Sequence, residues 1–114
     1  MSEAAEAIAD LDDELRRVGQ DVTLRRIGTD APDTEAPGVR AFVRGYRPDE
    51  LTGGIQQGDS LVVLSPTGMP AAFVIEPLGG NDRIVVAGRS LNVEYVDPVQ
   101  IAGITVRINV AVRG

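Results

Sequence analysis

From Asp21 to the C-terminal end, the apolar residues of this chain recur with a period of two, in short runs cut by glycine and proline. The clearest run is "ITVRINVAVR" at 104–113. Ile104, Val106, Ile108, Val110 and Val112 fall on one face, and Thr105, Arg107, Asn109 and Arg113 on the other. Successive side chains of a strand point to opposite sides of a sheet, so this alternation predicts a strand with one buried face. In "VRAFVRGY", Val39, Ala41 and Val43 face one way, and Arg40, Phe42, Arg44 and Tyr46 the other. "DVTLRRI", "SLVVLS", "AAFVI", "RIVVA" and "LNVEYV" read as further strands, with Tyr95 in step with Leu91 and Val93 and therefore in the core. The expected class is mainly β: a small antiparallel β-barrel or sandwich of about six or seven strands joined by turns.

Residues 2–18 break this period. Ala4, Ile8, Leu11, Leu15 and Val18 make one stripe at helical spacing, with Ser2 as N-cap, Glu3 and Glu6 in the first turn and Arg16 and Arg17 in the last. Gly19 suits the position just past the helix end. The other face, with Glu6, Asp10, Asp13, Glu14 and Arg17, is a solvated face. The stripe is narrow, so the helix docks on a sheet or a partner rather than entering a core.

The connections are long for so small a domain, where about 4–6 residues is usual. "GTDAPDTEAPG" at 28–38 reads as an acidic loop with two prolines. "RPDELTGGIQQGD" follows the second strand, pinned to the body by Leu51 and Ile55. "PTGMP", the glycine-rich "EPLGGND", "AGRS" and "DPVQIAG" read as the remaining turns and connections. No internal repeat or domain boundary is visible, so residues 1–114 read as a single domain, helix 2–18 and barrel body 21–113.

Composition narrows the function. Aromatics make up 4% of the chain, so the core must be aliphatic. The net charge is −6, a poor match to nucleic acid or an anionic membrane surface, which call for net positive charge. There is no cysteine, hence no disulfide framework and no thiolate zinc site. The start lacks a basic segment followed by an apolar one, and no apolar run reaches the roughly 20 residues of a membrane span. The chain thus reads as a soluble protein made in a cytoplasm.

Histidine and lysine are also missing, so no serine hydroxyl has the base that nucleophilic catalysis needs. Asp12 and Asp13 are adjacent on a helix and diverge. Asp59, Asp82 and Asp97 each flank Gly, Asn or Pro and read as turn residues. "LGGN" and "LTGG" lack the Lys-Ser/Thr of a phosphate loop. No catalytic residue, cofactor or metal site is expected, and the chain is not read as an enzyme. A carboxylate-only divalent metal site is the enzymatic alternative. The candidates for stacking on single-stranded nucleic acid are Phe42, Tyr46, Phe73 and Tyr95. What remains is surface: loops held on a rigid scaffold present contacts.

The order of elements carries a resemblance. A short acidic helix, "VTLRR", a loop and "VRAFVRGYRPDEL…GGIQQGDSLVVLS" are followed by "NDRIVVAGRSLNVEYVDPV" and the closing "GITVRINVAVRG". Over nearly its whole length the chain resembles the small head–tail joining proteins of tailed bacteriophages and prophages, also called head-completion or head-closure proteins. The resemblance implies a barrel or sandwich with flexible loops, monomeric in isolation and assembled as a homo-oligomeric ring at the virion neck. Its partners would be the portal or adaptor protein on one side and the tail-completion protein on the other. DNA would pass through without specific binding, and assembly would take place in the bacterial host cytoplasm. An infective phage, a defective prophage and a gene-transfer particle are equally compatible sources. The residues expected at a protein interface are Arg44, Tyr46, Arg47, Glu50 and Leu51, at a strand end and on the loop after it. Leu51 and Tyr46 have an alternative role in packing that loop. Arg25 and Arg26, on a short strand, either cross an interface to carboxylates or guard an exposed sheet edge. Two other functions stay open: an OB-like binding module for single-stranded nucleic acid or another ligand, and a tail-completion protein of the same neck.

Overall fold

Six antiparallel strands close into a barrel in the order β1-β2-β3-β6-β5-β4. The computed structural model describes residues 2–114. The strands are β1 (Gln20–Arg26), β2 (Thr34–Gly45), β3 (Ser60–Leu64), β4 (Asp82–Val86), β5 (Arg89–Ile101) and β6 (Ile104–Arg113). Helix α1 (Glu3–Val18) precedes them, and a short helix α2 (Ala71–Ile75) lies between β3 and β4. The mainly β barrel with an N-terminal helix is as the sequence predicts.

Alternation fills the interior with aliphatic side chains. Val62 and Leu64 of β3, Val110 and Val112 of β6, Leu24, Ala41, Ile84 and Val93 are all buried there. Each large one contributes about 1.5–3 kcal/mol by leaving water. Helix α1 forms as its stripe dictates. The Ser2 hydroxyl accepts the Ala5 N–H at 3.1 Å, Ala4 and Leu15 are buried, and the acidic face is exposed. Gly19 is not left-handed but extended, with φ −84°. Its role is room: a Cβ there would sit 2.8 Å from the Ala41 carbonyl oxygen.

Several expectations are corrected, most of them by β-bulges. The loop at 28–38 is largely strand: β2 begins at Thr34, and Leu24 pairs with Ala36. Pro37 and Gly38 form a bulge between that pair and Val22–Val39, with Gly38 at φ 73°. A proline–glycine step that reads as a loop is here the kink of a continuous strand. "DPVQIAG" is likewise not a connection. β5 runs through Asp97 and Pro98 to Ile101, so Asp97 is a strand residue rather than a turn residue. Its turn is Ala102–Gly103, with φ 52° and 80°, a twin of Ala87–Gly88 at 50° and 81°. Both are the tight turn with two left-handed residues that matches strand twist.

Tyr95 is not core but 57% exposed. Val93 pairs with Val112 and Tyr95 with Ala111, which leaves Glu94 as an extra residue. The bulge turns Tyr95 outward and Val96 inward. A second bulge at Val106 breaks the single face predicted for β6. Thr105 joins Ile108 on the inner side, Val106 lies against Ala7 and Leu11 of α1, and Ile104 is 50% exposed.

"AAFVI" is α2, not a strand. The barrel closes without it, because β4 pairs with both β1 and β5. Pro70 caps the segment, and its one turn delivers Phe73 into the core. Closure also removes the edge that Arg25 and Arg26 could guard, since β1 lies between β2 and β4.

An internal repetition emerges that is not apparent from the strand pattern. In "QQGDSLVV" and "GGNDRIVV" the aspartate is buried at the start of a strand, Asp59 before β3 and Asp82 in β4. Each accepts the N–H of the residue three back, Gln56 or Gly79, at 2.9 Å. Each also takes a two-pronged arginine from the neighbouring strand. Arg113 reaches Asp59 at 2.8 and 3.0 Å, and Arg26 reaches Asp82 at 2.8 and 2.9 Å. Each arginine then donates to a carbonyl of the preceding loop, Gly54 or Glu76. The turn role of both aspartates holds, and each also fastens a loop.

A candidate docking cleft on the outer face of the barrel

The outer face of β2, β3, β6 and β5 carries two cross-strand rows. One runs Arg44, Leu61, Ala111, Tyr95, and the other Phe42, Val63, Asn109, Asp97. Leu61, Val63 and Ala111 are buried although they face away from the core. Tyr46 and Ile55 come from the 46–58 loop, and Arg107 from β6. Together they border a cleft of about 240 Å³ with a floor of Leu61 and Ala111.

The loop is fixed by charge-assisted hydrogen bonds. Arg44 forks onto Glu50, with both N–H···O distances 2.8 Å, and the Arg47 N–H donates to Glu50 at 2.8 Å. Glu50 closes a single 3-10 turn at Pro48–Glu50. The Arg44 bond above all, and then the Arg47 N–H, hold the Glu50 carboxyl at about 2, well below its ordinary value. At the far end of the loop, the Arg113 fork lowers Asp59 in the same direction. Burial raises the Tyr46 phenol, which keeps it neutral and able to donate a hydrogen bond.

Of the expected interface residues, the structure brings Arg44, Tyr46 and Glu50 together at this cleft. Arg47 is exposed on the rim of the loop, and Leu51 is half-buried beyond the 3-10 turn. Arg25 and Arg26 lie on β1 and do not join them. Arg25 bonds Asp33 at 2.7 Å. Arg26 is consumed internally: besides Asp82 it donates to the Ala72 carbonyl at 3.0 Å and stacks on the Phe73 ring at 4.5 Å. Tyr95 escapes sequence reasoning because the Glu94 bulge reverses the face on which it falls, and Asp97 because it reads as a turn residue before Pro98 but lies within β5. Arg107 and Asn109 are legible as outward residues of β6, and Arg107 donates to the Asn109 side chain at 2.8 Å.

The arrangement suits binding. Three of the four aromatic residues, Phe42, Tyr46 and Tyr95, gather on this one face, with arginines beside them. Tyrosine and arginine on a dry, packed floor are the side chains that carry most energy in protein interfaces. Among the described residues no cluster of three or more Asp, Glu, His or Cys is placed to hold a metal ion. No helix is long and apolar enough to cross a membrane. Compared with known proteins, the chain matches no family, no curated protein and no solved structure.

Proposed function

We propose that the protein is a structural component of a tailed-phage neck, joining the DNA-filled head to the tail as a ring of copies, with the outer-face cleft as its docking surface. The observation that carries this reading is the gathering of Tyr46, Tyr95, Phe42, Arg44 and Arg107 on one face of a closed barrel whose interior is filled. The resemblance in element order supports the same role, and so does the surplus of acidic charge, which would not hold DNA passing through a channel. The portal or adaptor and the tail-completion protein are the partners on this reading, and no chemical step is needed.

The test is cryo-electron microscopy of particles from the source, together with a joining assay. A ring of this chain between portal and tail is expected. Loss of the protein should leave filled heads and free tails. Tyr95→Ala should reduce joining while leaving the melting temperature within a degree or two, because the ring is exposed. Complete but non-infectious particles in the absence of the protein would overturn the joining role.

The same aromatic and arginine cluster favours one second reading, a module that stacks single-stranded nucleic acid on a barrel face. Salt-dependent binding of an oligonucleotide, lost on Phe42→Ala, would support it; no binding at low salt removes it.

A further inference from the structure

Closure of the ring uses only part of β5. The strand pairs with β4 from Arg89 to Asn92, and with β6 from Asn92 to Ile101. Past Asn92 its second side has no strand beside it. Among the described residues, no loop or helix backbone bonds residues 96–101 either.

The turn at the end of β5 shows which groups are left over. Ile101 and Ile104 flank the two-residue turn Ala102–Gly103 and so exchange their own backbone bonds. Backbone groups alternate in direction along a strand, so Val99 and Asp97 also turn to β6. Val96, Pro98 and Gln100 turn to the open side. Pro98 agrees with this assignment, because a strand tolerates proline where its nitrogen faces an edge. The open side therefore offers the N–H groups of Val96 and Gln100 and the carbonyls of Val96, Pro98 and Gln100.

Beside this edge lies an apolar cavity of about 380 Å³, between the α2 segment and the inner side of β5 and β6. Val96 and Pro98 line it from the edge strand, and Phe73, Leu78 and Ile108 from the core side. Val74, on its border, is 61% exposed. A strand laid along β5 puts every second side chain on the same side as Val96 and Pro98, which is the cavity side.

Charge defines what fits. The edge presents N–H and C=O dipoles complementary to those of an extended chain. Residues 98–106 contain no Asp, Glu, Lys or Arg, and no charged residue lines the cavity. Glu76 nearby is exposed, with its carboxylate 3.6 Å from the Arg26 guanidinium. A charged side chain turned into the cavity would lose its hydration without gaining a partner. The fitting occupant is an extended segment with aliphatic residues at alternate positions. A second copy has no such segment to give, because its own alternating strands are closed into its barrel.

We infer that the open edge of β5 accepts an extended aliphatic segment of a partner protein, which adds to the sheet beyond the ring and seats its alternate side chains in the cavity beside Val74. This contact lies on the inner side of β5, whereas the docking cleft lies on the outer side, and it stands or falls apart from the neck reading.

The probe is an end-blocked peptide of alternating threonine and valine, titrated into the isotope-labelled full chain. In the free chain the Val96 and Gln100 amides should exchange with solvent about ten-fold faster than those of Asp97 and Val99. Peptide at about 1 mM should slow that exchange about ten-fold, a readout that side-chain contact alone does not move. Gln100→Pro removes one edge donor, and Val74→Asp puts a charge on the cavity border. Each should weaken binding about five-fold or more with circular dichroism unchanged. Of two probes N-methylated on all threonines or on all valines, one should lose binding and the other keep it, because only one edge of the peptide faces β5. No slowing at that concentration, equal effects of the two methylated probes, or Val96 and Gln100 amides already protected in the free chain overturns the inference. Protection that grows with the concentration of the chain alone puts a second copy on the edge and overturns it too.

Discussion

At the scale of single residues, three arginine–carboxylate forks decide where the loops lie. Arg26 is the most heavily committed, holding buried Asp82, the α2 segment through two carbonyls, and the Phe73 ring. Arg26→Ala removes the charge opposite a carboxylate that is 2% exposed. Breaking one side of such a pair costs about 3–5 kcal/mol. We expect a loss of that order in urea unfolding, with faster hydrogen exchange over 66–81; a loss under about 1 kcal/mol would show that the fork is dispensable. Glu50 sets the pH dependence. Its folded value, about 2, lies below its ordinary 4.5, so its contribution is complete above 4.5 and disappears as the pH falls towards 2. Asp59 is lowered in the same sense from 3.8. Urea midpoints should therefore not vary with pH near neutrality on account of these two groups, whose stabilisation is then complete, and should fall in acid. Glu50→Gln should start lower at pH 7 and fall less steeply.

At the scale of elements, one-residue bulges in β2, β5 and β6 distribute side chains between core and surface. Glu94 is the instructive case. Deleting it would remove the bulge yet keep Val93 opposite Val112 and Tyr95 opposite Ala111, so that Tyr95 stays outward and Val96 inward. The core would keep Val93 and Val96, and the loss would be confined to the local twist of the strand and the Glu94 carboxylate. We expect Glu94 deletion to cost little more than Glu94→Ala in urea unfolding, because both remove one partner of Arg113 and neither moves a core side chain. A several-fold larger loss on deletion would mean that the path of the bulged strand is itself needed for barrel stability.

At the scale of the whole molecule, the barrel and helix are separable in principle, because the ring of strands closes without α1. The helix is held by Leu15, by Arg40 donating to the Leu15 carbonyl at 2.8 Å, and by the Ser65 hydroxyl donating to Asp12. Leu15→Asp should detach it, lowering the helical signal in circular dichroism while the barrel retains a cooperative transition. Simultaneous loss of both would show that the helix is integral to barrel stability.

Much of this protein is legible in the sequence alone. The helix, the strands read as "VRAFVRGY" and "SLVVLS", each ending within one residue of the sequence reading, the outward Arg44 and the inward Val110 follow from local periodicity, which needs no knowledge of distant residues. Arg44 and Glu50 are legible as members of one site because they are neighbours in the chain. The tertiary structure alone decided that Tyr95 and Asp97 join them, that Arg26 faces Asp82 rather than a partner, and that "AAFVI" coils. Each depends on a pairing across the barrel: a bulge is defined only against its opposite strand, and a fork only by the residue it grips. Closure decided the rest, since β1 lies between two strands and has no edge for Arg25 and Arg26 to guard, and the ring closes without a seventh strand.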